Sequence, residues 1–224
     1  MDVEFELLGN RQGRDVSVMR KFQGFTLVEL MITVTIFAIL MAAGMPAFSQ
    51  WSQNSQIRTT AGAIHDGLTL ARAEAVRRNA TIRFHLTTSI GDDCAPSASG
   101  PSWVVSYDDV NGACGHAMLK EEFSVNDATN NPVPRIIQRR SGQEGSARVS
   151  VTATGGNSVF TFNGLGRLTS AADGIDVKPV GVAGNCTGAA RCLRVVVSAG
   201  GQVRVCVPDG LNATDLPAGD PQKC

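Results

Sequence analysis

The sequence changes abruptly from basic to apolar at Lys21-Phe22-Gln23-Gly24-Phe25-Thr26-Leu27-Val28-Glu29-Leu30. From Phe25 to Met45 there are twenty-one residues, and Glu29 is the only ionisable side chain among them. A helix of that length rises roughly 32 Å, which is enough to cross the hydrocarbon layer of a bilayer. A carboxylate in such a segment costs roughly 3 kcal/mol on insertion scales, so we expect it to have a functional partner.

The natural partner for Glu29 is a positive charge at the same depth in a neighbouring helix. Cleavage after Gly24 would create one, because the new amino terminus of Phe25 is a cation. The order Gly24-Phe25-Thr26-Leu27-Val28-Glu29 resembles the class III signal of type IV pilins and type II secretion pseudopilins. The resemblance implies that a prepilin peptidase cuts between Gly24 and Phe25 and methylates the new amine. It also implies that Glu29 pairs with the terminus of an adjacent subunit during assembly.

Two plainer interpretations of the apolar segment fit less well. A cleavable secretory signal has an apolar region of about 7 to 15 residues without acids, followed by a small-x-small site. Here the apolar run is longer, contains Glu29 and ends in Gly44-Met45-Pro46-Ala47. A plain signal anchor would leave Glu29 unexplained.

The residues before the apolar segment are predicted to form a leader that the mature protein lacks. Residues 1–18 mix acids and bases without helical or strand periodicity. Residues 19–24 alone would carry two positive charges, as expected of a cytoplasmic flank. We therefore predict removal of residues 1–24, with Met19 as an alternative start of translation.

Beyond the membrane segment the helical pattern continues. Apolar residues recur at spacings of three and four and form a narrow stripe: Ile57, Ala61, Ile64, Leu68, Ala71 and Ala75. We predict one long helix from about residue 25 to 78, with residues 25–46 in the membrane and residues 47–79 as an amphipathic half packed on a globular domain. The ring of Pro46 would clash with the carbonyl four residues back, so a kink or local melting is expected there.

From Ala80 onward, short β-branched or alternating runs are separated by turn residues. They predict strands at residues 81–87, 102–107, 135–138, 147–153, 158–162, 193–198 and 202–207. The turn 199–202 would join the last two strands as a hairpin. The fold class is therefore α+β and pilin-like, with one long N-terminal helix packed on antiparallel β-sheet and a globular periplasmic or extracellular domain at 80–224.

The six cysteines all follow the apolar segment, and none forms a Cys-x-x-Cys pair. An even number in an exported domain favours disulfides, although free buried thiols remain the alternative. Fifteen connectivities exist, and we favour pairing of sequence neighbours: Cys94 with Cys114, Cys186 with Cys192, and Cys206 with Cys224. His65, His85 and His116 lack ligand spacing, so no metal site is expected.

The composition argues against catalysis and against broad electrostatic binding. The formal net charge is zero and no block of like charges occurs. The sequence has no Gly-x-Ser-x-Gly elbow and no phosphate-binding glycine loop. We expect no catalytic residues, no enzymatic activity and no cofactor.

Three later segments resemble the GspH/FimT family of pilins. They are Ala71-Arg72-Ala73-Glu74-Ala75 at the end of the long helix, Phe160 to Leu168, and Gly201 to Cys206. The resemblance implies a minor type IV pilin that primes or tips fibre assembly. Its partners would be prepilin peptidase, other minor and major pilins, and the inner membrane before assembly. A minor pseudopilin of type II secretion is the alternative.

A third interpretation is a minor pilin that binds DNA in natural transformation. FimT-like members of the family bind DNA through a Gly-Arg-x-Arg motif, whereas this chain has Gly201-Gln202-Val203-Arg204, with Gln202 in place of the first arginine. Arg194 and Arg204 would lie on neighbouring strands and are the candidate DNA contacts. Solvated strand faces are the plainer interpretation.

Overall fold

The computed structural model describes residues 25–142, 148–170, 173–182, 186, 191–208, 210, 216–217 and 219–224. The chain divides into two compact units, Met1–Met45 and Pro46–Cys224, which are described separately.

In the first unit, helix α1 (Leu27–Arg78) begins with a capping arrangement. The Thr26 hydroxyl accepts a hydrogen bond from the backbone N–H of Glu29 at 3.2 Å. A Thr-x-x-Glu sequence is a typical signal for the start of a helix. All described residues from 25 to 45 are exposed, and by length and composition this part of α1 could cross a membrane, with a mean hydropathy of 2.2.

The second unit contains the rest of α1 and eight strands. The whole stripe predicted from the sequence is buried, each of its six residues being at most 1% exposed. Residue 46 is helical in α1, so the structure shows no local melting there, and the kink expected at Pro46 stays a prediction. The strands are β1 (Ile82–Thr87), β2 (Ser102–Ser106), β3 (Ile136–Arg140), β4 (Val149–Ala153), β5 (Val159–Phe162), β6 (Asp173–Pro179), β7 (Leu193–Val197) and β8 (Val203–Cys206).

The strands form two antiparallel sheets around one core. The first sheet has the order β3-β2-β1-β5 and the second has the order β4-β6-β7-β8. One apolar cluster joins the stripe of α1 to the inner residues of both sheets, including Phe84, Phe160 and Val195. The α+β fold class, with one long N-terminal helix and antiparallel sheet, is confirmed, and so is the β7–β8 hairpin.

The prediction omitted one strand and did not divide the strands between two sheets. Strand β6 contains Asp173, Gly174, Asp176 and Pro179, residues that are uncommon in strands. It is nevertheless central in the second sheet, where Asp176 is 7% exposed. The Arg194 side chain of β7 pairs with this carboxylate and offsets the cost of its burial.

Residues 88–135, apart from β2 within that range, add a second layer on the outer face of the first sheet. A small separate core forms there from Cys94, Val110 and Cys114 of this segment together with Val104 of β2 and Ile136 of β3. A disulfide joins Cys94 to Cys114, whose Cα atoms are 6.0 Å apart. This segment includes Met118 and Phe123, both exposed apolar side chains.

Candidate assembly site

The start of α1 presents the residues expected to act in processing and assembly. Phe25 is 83% exposed, and Glu29 is exposed one turn later. The Thr26 hydroxyl caps the backbone N–H of Glu29 and does not engage the Glu29 carboxylate. In the described part of the chain, no ion pair of this carboxylate is found. Gly24, the predicted cleavage residue, lies outside the described residues. The carboxylate is thus placed at the positive end of the helix dipole and is available to a partner.

The three later motif segments converge in space. Arg72 of α1 donates a hydrogen bond from Nε to the carbonyl oxygen of Gly166 at 3.2 Å. Gly201, which precedes β8, approaches the same carbonyl so closely that a Cβ atom on it would lie 1.9 Å from that oxygen. We call Arg72, Gly166 and Gly201 the motif junction. It ties α1, the turn after β5 and the β7–β8 hairpin together.

Glycine is required in the motif junction by conformation as well as by space. Gly166 has φ of +71° and Gly201 has φ of +79°, values that side chains other than glycine rarely adopt. Near the junction, a Cβ on Gly164 would lie 2.4 Å from Oδ1 of Asn79, the residue with φ of 45° that ends α1. The motif residues therefore serve the packing of the helix end against both sheets.

Comparison with known proteins identifies the family. The family described as Type II transport protein GspH matches residues 60–201, which is more than half of the chain. The chain belongs to the GspH family. A second match, to the prokaryotic N-terminal methylation motif, covers residues 19–45. A protein of the GspH family with this motif is a pilin or pseudopilin, a class whose members assemble with other pilin subunits.

Solved structures of the same class resemble this GspH-family chain only distantly. The minor pilin FimU of Pseudomonas aeruginosa PAO1 is 12% identical, with a TM-score of 0.43 over 69% of this chain and 91% of FimU. The minor pseudopilin EpsH from the type 2 secretion system of Vibrio cholerae is 11% identical, with a TM-score of 0.39 over 68% of this chain and 97% of EpsH. No curated protein sequence gives a significant match.

An ionic cluster lies at the end of α1 in this GspH-family domain. Arg77 and Arg78 both pair with Glu74, at 2.8 and 2.5 Å, and both also pair with Glu121 of the 88–135 segment. Burial would raise the pKa of the Glu74 carboxyl, but the hydrogen bonds from the two arginines outweigh it and hold the pKa below its usual range. The cluster connects the outer layer to the helix that carries the family motif.

The two candidate DNA contacts share one face of the second sheet. Arg194 lies opposite Cys206, and Arg204 lies opposite Val196, so both side chains project from the same side. Arg194 is already paired with Asp176, at 2.5 and 3.1 Å, and this hydrogen bonding raises the pKa of the guanidinium. Arg204 donates to the carbonyl oxygen of Cys224 at 3.1 Å. DNA binding stays a prediction, and Asp176 reduces the positive charge that Arg194 could offer.

The sequence did not single out the burial of His85. This residue of β1 is 1% exposed beneath the 88–135 segment, and neither ring nitrogen has a hydrogen-bond partner in normal geometry among the described residues. The pKa of His85 is lowered to about 4, chiefly because burial disfavours the charged ring. The nearby Asp109 carboxylate and the Asp108 carbonyl act in the opposite direction and raise the pKa by a smaller amount. Arg83 on the same strand also disfavours the charged ring.

The disulfides of this GspH-family domain join sequence neighbours. Besides Cys94 with Cys114, the structure joins Cys186 to Cys192 and Cys206 to Cys224. The last bond holds the tail beside β8, where Val207 and Lys223 form an isolated bridge. Within the described ranges, no group of three or more potential metal ligands is found.

Proposed function

We propose that this chain is a minor type IV pilin that helps to prime or tip fibre assembly. Prepilin peptidase cleaves it between Gly24 and Phe25 and methylates the Phe25 amine. The observation that carries the proposal is the N-terminal methylation motif over residues 19–45, which ends in an exposed apolar helix with the single acid Glu29. The family match over residues 60–201 supports the class of protein.

In this mechanism the precursor first lies in the inner membrane with Lys21 on the cytoplasmic side and the domain from residue 80 in the periplasm. Cleavage leaves a cationic Phe25 amine and the Glu29 carboxylate one turn apart on the same helix. An ion in the membrane is strongly disfavoured without a counter-charge, so Glu29 neutralises the Phe25 amine of a neighbouring subunit or its own. Pairing of Glu29 with a neighbour's amine would therefore set the register in which this subunit joins the fibre.

The Glu29→Val variant tests this mechanism. Cleavage should proceed normally, because the peptidase site itself is unchanged, whereas incorporation into sheared fibres should fall at least tenfold. Mass spectrometry of the membrane-bound protein measures cleavage, and immunoblotting of the fibre fraction measures incorporation. Thr35→Val is the matched control, since Thr35 is another polar residue of the same helix whose hydroxyl bonds only the Met31 carbonyl. Normal incorporation of Glu29→Val would contradict the pairing.

The second candidate is the minor pseudopilin of type II secretion, which the family description favours. Such a protein would use the same processing and pairing but would act in export of folded proteins. Deletion of the gene separates the two functions. Loss of surface fibres with normal secretion supports the minor pilin, and loss of secretion with normal fibres supports the pseudopilin.

A further inference from the structure

An open recess of about 340 Å³ lies beside the first turns of α1 in the second unit. It is lined by Trp51, Asn54, Ser55, Arg58 and Arg191. The first four follow the spacing i, i+3, i+4, i+7 and so form one face of the helix. Arg191 is attached to this face because its backbone N–H donates to Oδ1 of Asn54 at 3.0 Å. We call these five residues the basic recess.

The two charged residues that line the basic recess, Arg58 and Arg191, are both positive. None of its lining residues is acidic, and no ion pair of Arg58 or Arg191 is found among the described residues. The sequence explains why: it has no Asp or Glu between Glu29 and Asp66, and none between Asp176 and Asp209. Two exposed guanidinium groups at one recess without a counter-ion form a local site for an anion in a chain of zero net charge.

The chemistry of the recess fits a phosphate group. Guanidinium groups bind phosphate oxygens through paired N–H donors, and the Asn54 and Ser55 side chains add polar groups on the same face. Side chains on a helix lean toward its N-terminus, so Arg58 extends over the turn that carries Asn54 and Ser55. That direction leads toward Trp51.

The surroundings of the recess favour a lipid as the source of the phosphate. Phe48 and Trp51 are 68% and 67% exposed, and their rings are 6.0 Å apart. Exposed aromatic residues just beyond an apolar span are typical of the bilayer interface. Trp51 follows residue 46 by roughly 7.5 Å of helix rise, which is comparable to the roughly 5–8 Å thickness of each polar headgroup layer.

We infer that the basic recess binds the phosphate of an anionic phospholipid at the periplasmic surface of the inner membrane. The inference rests on the proposed function in one respect, since it requires that the apolar segment spans the membrane before assembly. Binding would hold the unassembled subunit against the bilayer until it joins a fibre. It would also make the affinity of the domain for the membrane surface fall as salt rises.

Nanodiscs of stated composition test the inference with the full chain. Wild-type protein is inserted into discs of phosphatidylcholine with 30% phosphatidylglycerol, and native mass spectrometry of the released protein counts retained phosphatidylglycerol. The Arg58→Gln/Arg191→Gln variant should retain at least fivefold less. The Arg148→Gln/Arg167→Gln variant removes the same charge from two exposed arginines elsewhere and should retain the wild-type amount. Since all four side chains are exposed, thermal unfolding should be unchanged in both variants.

Several results would overturn the inference. Equal lipid retention by the two double variants would contradict the inference. Displacement of the lipid by millimolar inorganic phosphate would also contradict it and would assign the site to the free ion. Unchanged lipid retention together with loss of co-purifying pilin subunits from cells would assign the recess to a protein partner. If the wild-type chain fails to insert, the membrane anchor of the proposed function fails as well, whereas insertion without phosphatidylglycerol retention defeats the basic recess alone.

Discussion

At the scale of single residues, Gly201 has the tightest contact in the motif junction. The corresponding stretch in DNA-binding relatives suggested a role in recognition, yet the backbone here closes on the Gly166 carbonyl. Composition and spacing could not reveal this contact, because it joins residues that are far apart in the sequence. The likeness of three separate segments to one family was the only signal in the sequence that they belong together.

Gly201→Ala should destabilise the domain strongly. The new methyl group would lie 1.9 Å from the Gly166 oxygen at a φ of +79°, so the backbone must shift. We expect a loss of roughly 2 kcal/mol or more in the free energy of unfolding, measured by urea denaturation of the full chain in detergent. Gly200→Ala is the matched control, because the nearest atom to its added Cβ is Ser198 Oγ at 3.8 Å. Equal stability of the two variants would show that the junction is not tightly packed.

His85→Leu should reduce the dependence of stability on pH. The pKa of His85 is about 4 in the folded protein and 6.5 when unperturbed, so the unfolded state binds the proton more readily. The stability supplied by the neutral ring is complete above about pH 6.5 and is lost as the pH falls toward 4. The loss amounts to about 1.4 kcal/mol per unit, or about 3 kcal/mol in total.

The measurement compares urea denaturation at pH 7 and pH 4. Between pH 7 and pH 4, the free energy of unfolding of His85→Leu should fall by about 3 kcal/mol less than that of wild type, because leucine has no group that titrates. Leucine should be tolerated at this position, since neither ring nitrogen of His85 has a hydrogen-bond partner among the described residues. His116→Gln, at an exposed histidine of the 88–135 segment, should behave as wild type. An identical loss in His85→Leu and wild type would exclude His85 as the titrating group.

At the scale of elements, the sequence predicted what depends on local periodicity. The predicted stripe from Ile57 to Ala75 lies on the buried face of α1, and Gly200-Gly201 marks the β7–β8 hairpin. Strand β6 was missed because its buried Asp176 depends on pairing with Lys178 of the same strand and with Arg194, a residue eighteen positions away. The division of strands between two sheets was missed for a related reason, since alternation reveals faces but not neighbours.

The Cys94–Cys114 disulfide should stabilise the 88–135 segment in particular. Cys94→Ser/Cys114→Ser opens a loop with a separation of 20 residues, which costs about 3 kcal/mol by chain entropy, and places two hydroxyls in the small outer core. Hydrogen exchange read by mass spectrometry should therefore rise across that segment.

Cys206→Ser/Cys224→Ser is the matched control, with a separation of 18 residues. Because this bond holds the tail, exchange should rise near residues 219–224 and leave the outer layer unchanged. The same exchange pattern in both double variants would contradict separate roles for the two disulfides.

At the scale of the whole molecule, the family match covers the packed domain and the methylation motif covers the leader and the apolar part of α1. Apart from β2, the structure shows the 88–135 segment as an outer layer fixed by the Cys94–Cys114 disulfide and by the ion pairs of Glu121. We expect this layer, with its exposed Met118 and Phe123, to distinguish this subunit from other pilins and pseudopilins. Its partners depend on surface complementarity, which periodicity does not encode.

In the proposed function, prepilin peptidase converts this chain into an assembly-competent subunit. The most direct test of this conversion is the mass and N-terminal sequence of the protein from cells with and without prepilin peptidase. We predict a chain that begins at methylated Phe25 only when the peptidase is present. An intact leader in both strains, or a cut near Ala47, would contradict it.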